Sequence, residues 1–109
     1  MAEKRDSKRQ RKRISIKYGL KVPEKMGFTE DISQQGLFLK GGFVYPPKTL
    51  LTIEISPPGE STILLKGKVM WAKKVPPNLL RMAKKAGMGI RIREFLEGED
   101  TYRALFERS

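Results

Sequence analysis

Short runs in which apolar and polar residues alternate recur along most of this chain. That period of two restricts them to strands with one buried face. In "RISIKY", Ile14, Ile16 and Tyr18 alternate with Ser15 and Lys17. "GLFLK", beginning at Gly36, predicts another short strand. "TLLTIEI" puts Leu51, Ile53 and Ile55 on one face and stops at "SPPG", where two prolines and a glycine force a turn. "TILLKGKVMWAKKV" resumes with Ile63, Leu65, Val69 and Trp71 in one phase, and Gly67 marks an expected bulge. "MGIRIREF" alternates Met88, Ile90 and Ile92 with Gly89, Arg91 and Arg93. Two segments leave this rhythm. "NLLRMAKKAG" reads as a short inserted helix, with Asn78 as its N-cap and Gly87 as its stop. "DTYRALFERS" reads as a C-terminal helix capped by Asp100, with Tyr102, Leu105 and Phe106 on its apolar stripe. The pattern predicts a mainly β protein, a small closed antiparallel barrel with helix cover.

Composition narrows what such a barrel can do. A chain of 109 residues suits one domain with one modest core. Its net charge of +11 favours a polyanionic partner. The surplus is concentrated in residues 1–13, which hold seven basic and two acidic side chains. Residues 1–12 have no apolar periodicity and are expected to be loose. The chain has no cysteine and no histidine. Thiol nucleophiles, disulfides, the usual zinc ligands and the commonest neutral-pH general base are therefore excluded, and an enzyme is not expected. The N-terminus is charged rather than apolar, and no apolar run approaches the ~20 residues that a membrane helix needs. The expectation is a soluble, cytoplasmic protein with no membrane insertion.

Two motifs carry chemistry. Arg9 and Arg13 form R-x-x-x-R in the basic run "KRQRKRISI". An arginine fork pairs bidentately with phosphate oxygens or with guanine O6 and N7, and two forks on a flexible segment can close on one small anion. Taken alone, the match is what a basic tail produces by chance. The second motif is Asp31-x-Ser33-x-x-Gly36 in "TEDISQQGLFLKGG". As a turn, Asp31 and Ser33 bond the local backbone and Gly36 accepts a positive φ. As a site, the carboxylate accepts guanine N–H groups or orients an arginine, the hydroxyl donates to a phosphate, and Gly36 admits a ligand close to the backbone.

Together, and at this spacing, the two motifs resemble the PilZ domain family, bacterial receptors for cyclic di-GMP. The family signature is R-x-x-x-R before the first strand, then [D/N]-x-S-x-x-G between the second and third. Arg9, Arg13, Asp31, Ser33 and Gly36 match it without departure, and Lys8 occupies the basic position before the first arginine. "LKGKVMWAKKV" resembles the family's G-x-V-x-W strand, and "GMGIRIREF" its late strand before the terminal helix. The resemblance implies a six-stranded antiparallel barrel with a C-terminal helix over residues 14–109, preceded by a flexible basic switch segment over residues 1–13. It also implies that Lys8, Arg9 and Arg13 wrap a cyclic di-GMP held from the barrel side by Asp31, Ser33 and Gly36. Trp71 matches a position that packs near a base; its phase with Val69 and Leu65 equally suits a core tryptophan. The implied function is a receptor or adaptor whose N-terminal arm orders on binding cyclic di-GMP and signals to a protein partner, with no metal or other cofactor. Two alternatives remain at this stage. One is a basic nucleic-acid-binding barrel, disfavoured because no run of surface aromatics suits base stacking. The other is a PilZ-like adaptor that binds no nucleotide.

Overall fold

The computed structural model describes residues 10–73 and 86–107. The inserted helix expected from Asn78 lies outside them, as do Lys8 and Arg9. In chain order the elements are β1 (Gln10–Arg11), β2 (Ser15–Gly19), β3 (Lys25–Ile32), β4 (Gly36–Gly41), β5 (Leu50–Ile55), β6 (Ile63–Lys73), β7 (Gly87–Glu97) and α1 (Glu99–Glu107). Every strand pairing is antiparallel. The order β3-β2-β5-β6-β7-β4 closes on itself through β3–β4, which makes a six-stranded barrel. Closure removes the open sheet edges that a strand-rich chain would otherwise expose.

The alternating runs face inward as their period dictates. Ile14, Ile16 and Tyr18, then Leu51, Ile53 and Ile55, then Ile63, Leu65 and Val69, are buried, as are Met88 and Ile90. β3 was not legible as a strand by this test. Within it Thr29 and Ile32 are buried, three positions apart, because a register shift falls between Thr29 and Asp31. The bulge breaks the period of two on which the sequence signal depends. In β6 the pairing with β7 shifts between Leu64 and Leu65, between Lys66 and Gly67, where the bulge was expected, and between Val69 and Trp71. The third shift turns Trp71 out of the phase it shares with Val69 in sequence.

β1 stands outside the ring. Gln10 pairs with Ile32 and Arg11 with Asp31, so part of the segment expected to be loose is in fact bonded to β3. The buried Thr29 fixes the bend between β1 and β2. Its hydroxyl donates to Lys12 O at 2.6 Å and accepts from Ile14 N at 3.0 Å, while its own N–H donates to Ile14 O at 2.9 Å. Four interactions converge there once Lys12 N–H reaches Glu30 O. The bend at Lys12–Ile14 is therefore fixed to β3.

α1 begins at Glu99, one residue before the expected cap, and follows Gly98, whose φ is +80°. Glu99 and Asp100 fill its first turn, where the helix dipole favours negative charge. Tyr102 and Leu105 are buried beneath it, and the Tyr102 ring lies 5.3 Å from that of Phe95. Among the described residues, no helix is long and apolar enough to cross a membrane.

Tyr18 is a buried polar group with a partner: its hydroxyl donates to Phe43 O at 2.6 Å. Burial pushes the phenol above its ordinary 10.0, the bond to Phe43 opposes the rise, and the neighbouring Tyr45 adds to it. The folded protein thus holds this proton more tightly than the unfolded chain does. The associated stability is complete below the ordinary value and is lost as pH rises through the raised one. Tyr18→Phe is expected to cost about 1 kcal/mol at neutral pH, by orphaning the Phe43 carbonyl, and to flatten the alkaline loss of stability. Urea unfolding of both proteins at neutral pH and above pH 10 checks this; parallel alkaline losses would refute it.

Candidate ligand site

The turn between β3 and β4 is built by Ser33 and Gly36. Ser33 N–H donates to Gly36 O at 2.8 Å, and Gly36 N–H donates to Ser33 Oγ at 3.2 Å. The Ser33 hydroxyl is also 3.3 Å from Gly36 O and is buried. It is engaged in shaping the turn. From below, the Tyr102 hydroxyl of α1 donates to Ser33 O at 2.6 Å and lies 3.3 Å from Gly36 O. On the far side, Ile92 N–H donates to Gln35 O at 2.8 Å, which ties the turn to β7. A loop held from the helix and from the neighbouring strand is a preorganised platform.

Gly36 owes its identity to close packing and not to a positive φ; among the described residues, the glycines with positive φ are Gly59 and Gly98. A Cβ on Gly36 would collide with the carbonyl oxygen of Ile90 on β7. Asp31 is the penultimate residue of β3, half-buried, with Arg11 opposite it on one side and Phe38 on the other.

Trp71 is half exposed, on the barrel's outer surface. Its register partner is Gly89, and Gly89 pairs in turn with Phe38 of β4. With no side chain at Gly89, the indole leans across β7 and stacks on Phe38, 5.3 Å between centroids and 21° between planes. A Cβ at Gly89 would collide with the indole nitrogen. The sequence left Trp71 between core and surface; the shift after Val69 decides for the surface.

Ser33, Gly36, Trp71, Gly89 and Arg91 line one cavity of about 350 Å³, a size within the range of small-molecule sites. The structure therefore brings together three of the residues singled out in sequence: Ser33, Gly36 and Trp71. Arg13 is not among the residues lining this cavity. Its guanidinium carbon sits 4.0 Å from the centroid of the Phe28 ring, beside a separate depression formed with Pro57, Pro58 and Leu105. Gln35, Met70 and Arg91 also line the cavity and were not foreseen as site residues. The alternation of Ile90 and Ile92 does place Arg91 on the outer face. What the sequence does not reveal is that β7 pairs with β4, which sets Arg91 directly opposite Gly36. Among the described residues, no group of acidic side chains could hold a metal ion.

Comparison with known proteins agrees with the fold. The chain matches the PilZ domain over residues 3–108. Among solved structures it is similar to the Bacillus subtilis inhibitor of motility (MotI/DgrA), with a TM-score of 0.65 at 18% identity, covering 93% of this chain and 51% of that one. At that identity the likeness is one of fold, and the chain spans about half the length of that protein. No curated protein matches it.

Proposed function

The chain belongs to the PilZ domain family, and we propose from that premise that it is a receptor for cyclic di-GMP which hands the signal to a protein partner. The observation that carries the proposal is the shared cavity: a motif turn made by Ser33 and Gly36 opens onto the face of a half-exposed tryptophan and a cation. Cyclic di-GMP has two phosphates, which need positive charge, and two guanines, which need stacking surfaces and hydrogen-bond partners. Trp71, braced on Phe38, offers an aromatic face. Asp31, at the end of β3, offers a carboxylate for guanine N–H groups or for an arginine fork. On this reading the arm supplies Lys8, Arg9 and Arg13, the last of them in the bend that Thr29 holds. Arg13 rests on Phe28 outside the cavity, and on this reading it turns toward the cavity when the dinucleotide binds. Ordering the arm costs conformational entropy, so part of the interaction energy is spent on the change that a partner reads. No catalytic role is proposed.

Isothermal titration calorimetry with cyclic di-GMP, cyclic di-AMP, GMP and GTP tests this. Cyclic di-GMP is expected to bind most tightly, because the arginines and Asp31 recognise guanine edges that adenine lacks. Equal affinity for cyclic di-AMP would remove the guanine-reading role.

A further inference from the structure

We infer that Arg91 is a third arginine of the ligand site, supplied by the barrel wall and not by the arm, and that it contacts a phosphate of the bound dinucleotide. The inference rests on the cyclic di-GMP reading above and extends it to a residue outside both motifs. Two rows of residues cross the outer face here. In one, Trp71, Gly89 and Phe38 lie side by side on β6, β7 and β4. In the other, Lys68, Arg91 and Gly36 do the same. The rows are two residues apart along β7, a rise of about 6–7 Å, on the face opposite the buried Ile90. One row is an aromatic platform and the next is cationic. A base lying on Trp71 would carry its ribose and phosphate toward the second row.

Two absences of side chain leave Arg91 accessible from that platform. Gly36 beside it and Gly89 before it present only backbone to the cavity. Arg91 is exposed, and among the described residues it has neither an ion-pair partner nor a hydrogen-bonded one. Its backbone is firmly placed, since β7 is paired on both sides and the next N–H, that of Ile92, holds the motif turn at Gln35. A cation on a rigid strand, unengaged and facing an open cavity, loses little on binding an anion. Arg13 lies at a separate depression, against Phe28, so the two cations would reach the ligand from different elements.

The test compares Arg91→Gln, Arg91→Lys and Arg93→Gln, with cyclic di-GMP as the probe, by calorimetry at fixed salt and with thermal melts alongside. Arg93 is exposed two residues further along β7 and does not line the cavity, so it controls for diffuse charge. Arg91→Gln is expected to weaken binding about tenfold or more. Arg91→Lys should retain more affinity, because a phosphate accepts a point charge where a base edge demands the fork. Arg93→Gln should change affinity little, and all three should melt alike. Unchanged affinity in Arg91→Gln, or an equal loss in Arg93→Gln, overturns the inference while leaving the receptor reading intact. An equal loss in Arg91→Lys and Arg91→Gln overturns the assignment to phosphate. No binding by the unsubstituted protein overturns the receptor reading, and this inference with it.

Discussion

Gly36→Ala is expected to lose cyclic di-GMP binding and to melt at a lower temperature, both from one added carbon. That carbon would lie well inside contact distance of the Ile90 carbonyl oxygen, which is backbone and cannot swing aside. Relief requires β4 and β7 to separate where Gly36 faces Arg91. Overpacking of this kind costs about 1–3 kcal/mol, and each kcal/mol lowers the melting temperature of a domain this size by about 4–8 °C. The same displacement disturbs the paired bonds between Ser33 and Gly36 and moves the acceptors of the Tyr102 hydroxyl. Gly42→Ala is the control, since a Cβ there meets nothing within 4 Å. Scanning calorimetry and ligand titration of both variants decide the matter. A Gly36→Ala protein indistinguishable from Gly42→Ala would mean that β7 yields easily and that the glycine is not needed for packing.

Removal of either arginine of the arm is the second large effect. Arg9→Ala and Arg13→Ala are each expected to weaken cyclic di-GMP binding about tenfold to a hundredfold, the value of a charge-assisted hydrogen bond of roughly 1.5–3 kcal/mol. Neither should alter the melt by much. Arg13 makes a cation–π contact with Phe28, worth only about 0.5–1 kcal/mol at an exposed site. Lys4→Ala and Arg5→Ala should do far less, because they stand outside the motif. If all four variants lost affinity by the same small factor, diffuse charge attraction would explain the arm better than a clamp.

Most of the barrel was legible because most of its strands obey the period of two. Ile14, Ile16 and Tyr18 announce β2, and Leu51, Ile53 and Ile55 announce β5, since each faces a continuous core. β3 escaped for a physical reason: its bulge replaces alternation with a spacing of three. The same kind of irregularity after Val69 left Trp71 undecided, because phase counted along a sequence is blind to a shift in pairing. In the site, local chemistry read well. Asp31 does lie near the end of a strand, Ser33 does make a turn and Gly36 does begin the next strand. The reason for Gly36 did not read well, since a close approach by Ile90 depends on a strand more than fifty residues away in sequence. The place of Arg91 opposite Gly36 on the cavity wall went unnoticed for the same cause: its neighbours are assigned by topology, and alternation reports only the face.

The Tyr102 hydroxyl gives α1 a grip on the turn. One oxygen atom spans Ser33 O and Gly36 O, so moving α1 relative to the motif loop would break these bonds. In mechanical terms the helix is a lever whose short arm ends beneath the cavity floor. A shift of the turn would be magnified along the nine residues of α1, and a load on the helix would be felt at the turn. On the receptor reading proposed above, occupancy would have a second route to a partner beside the basic arm, through this helix.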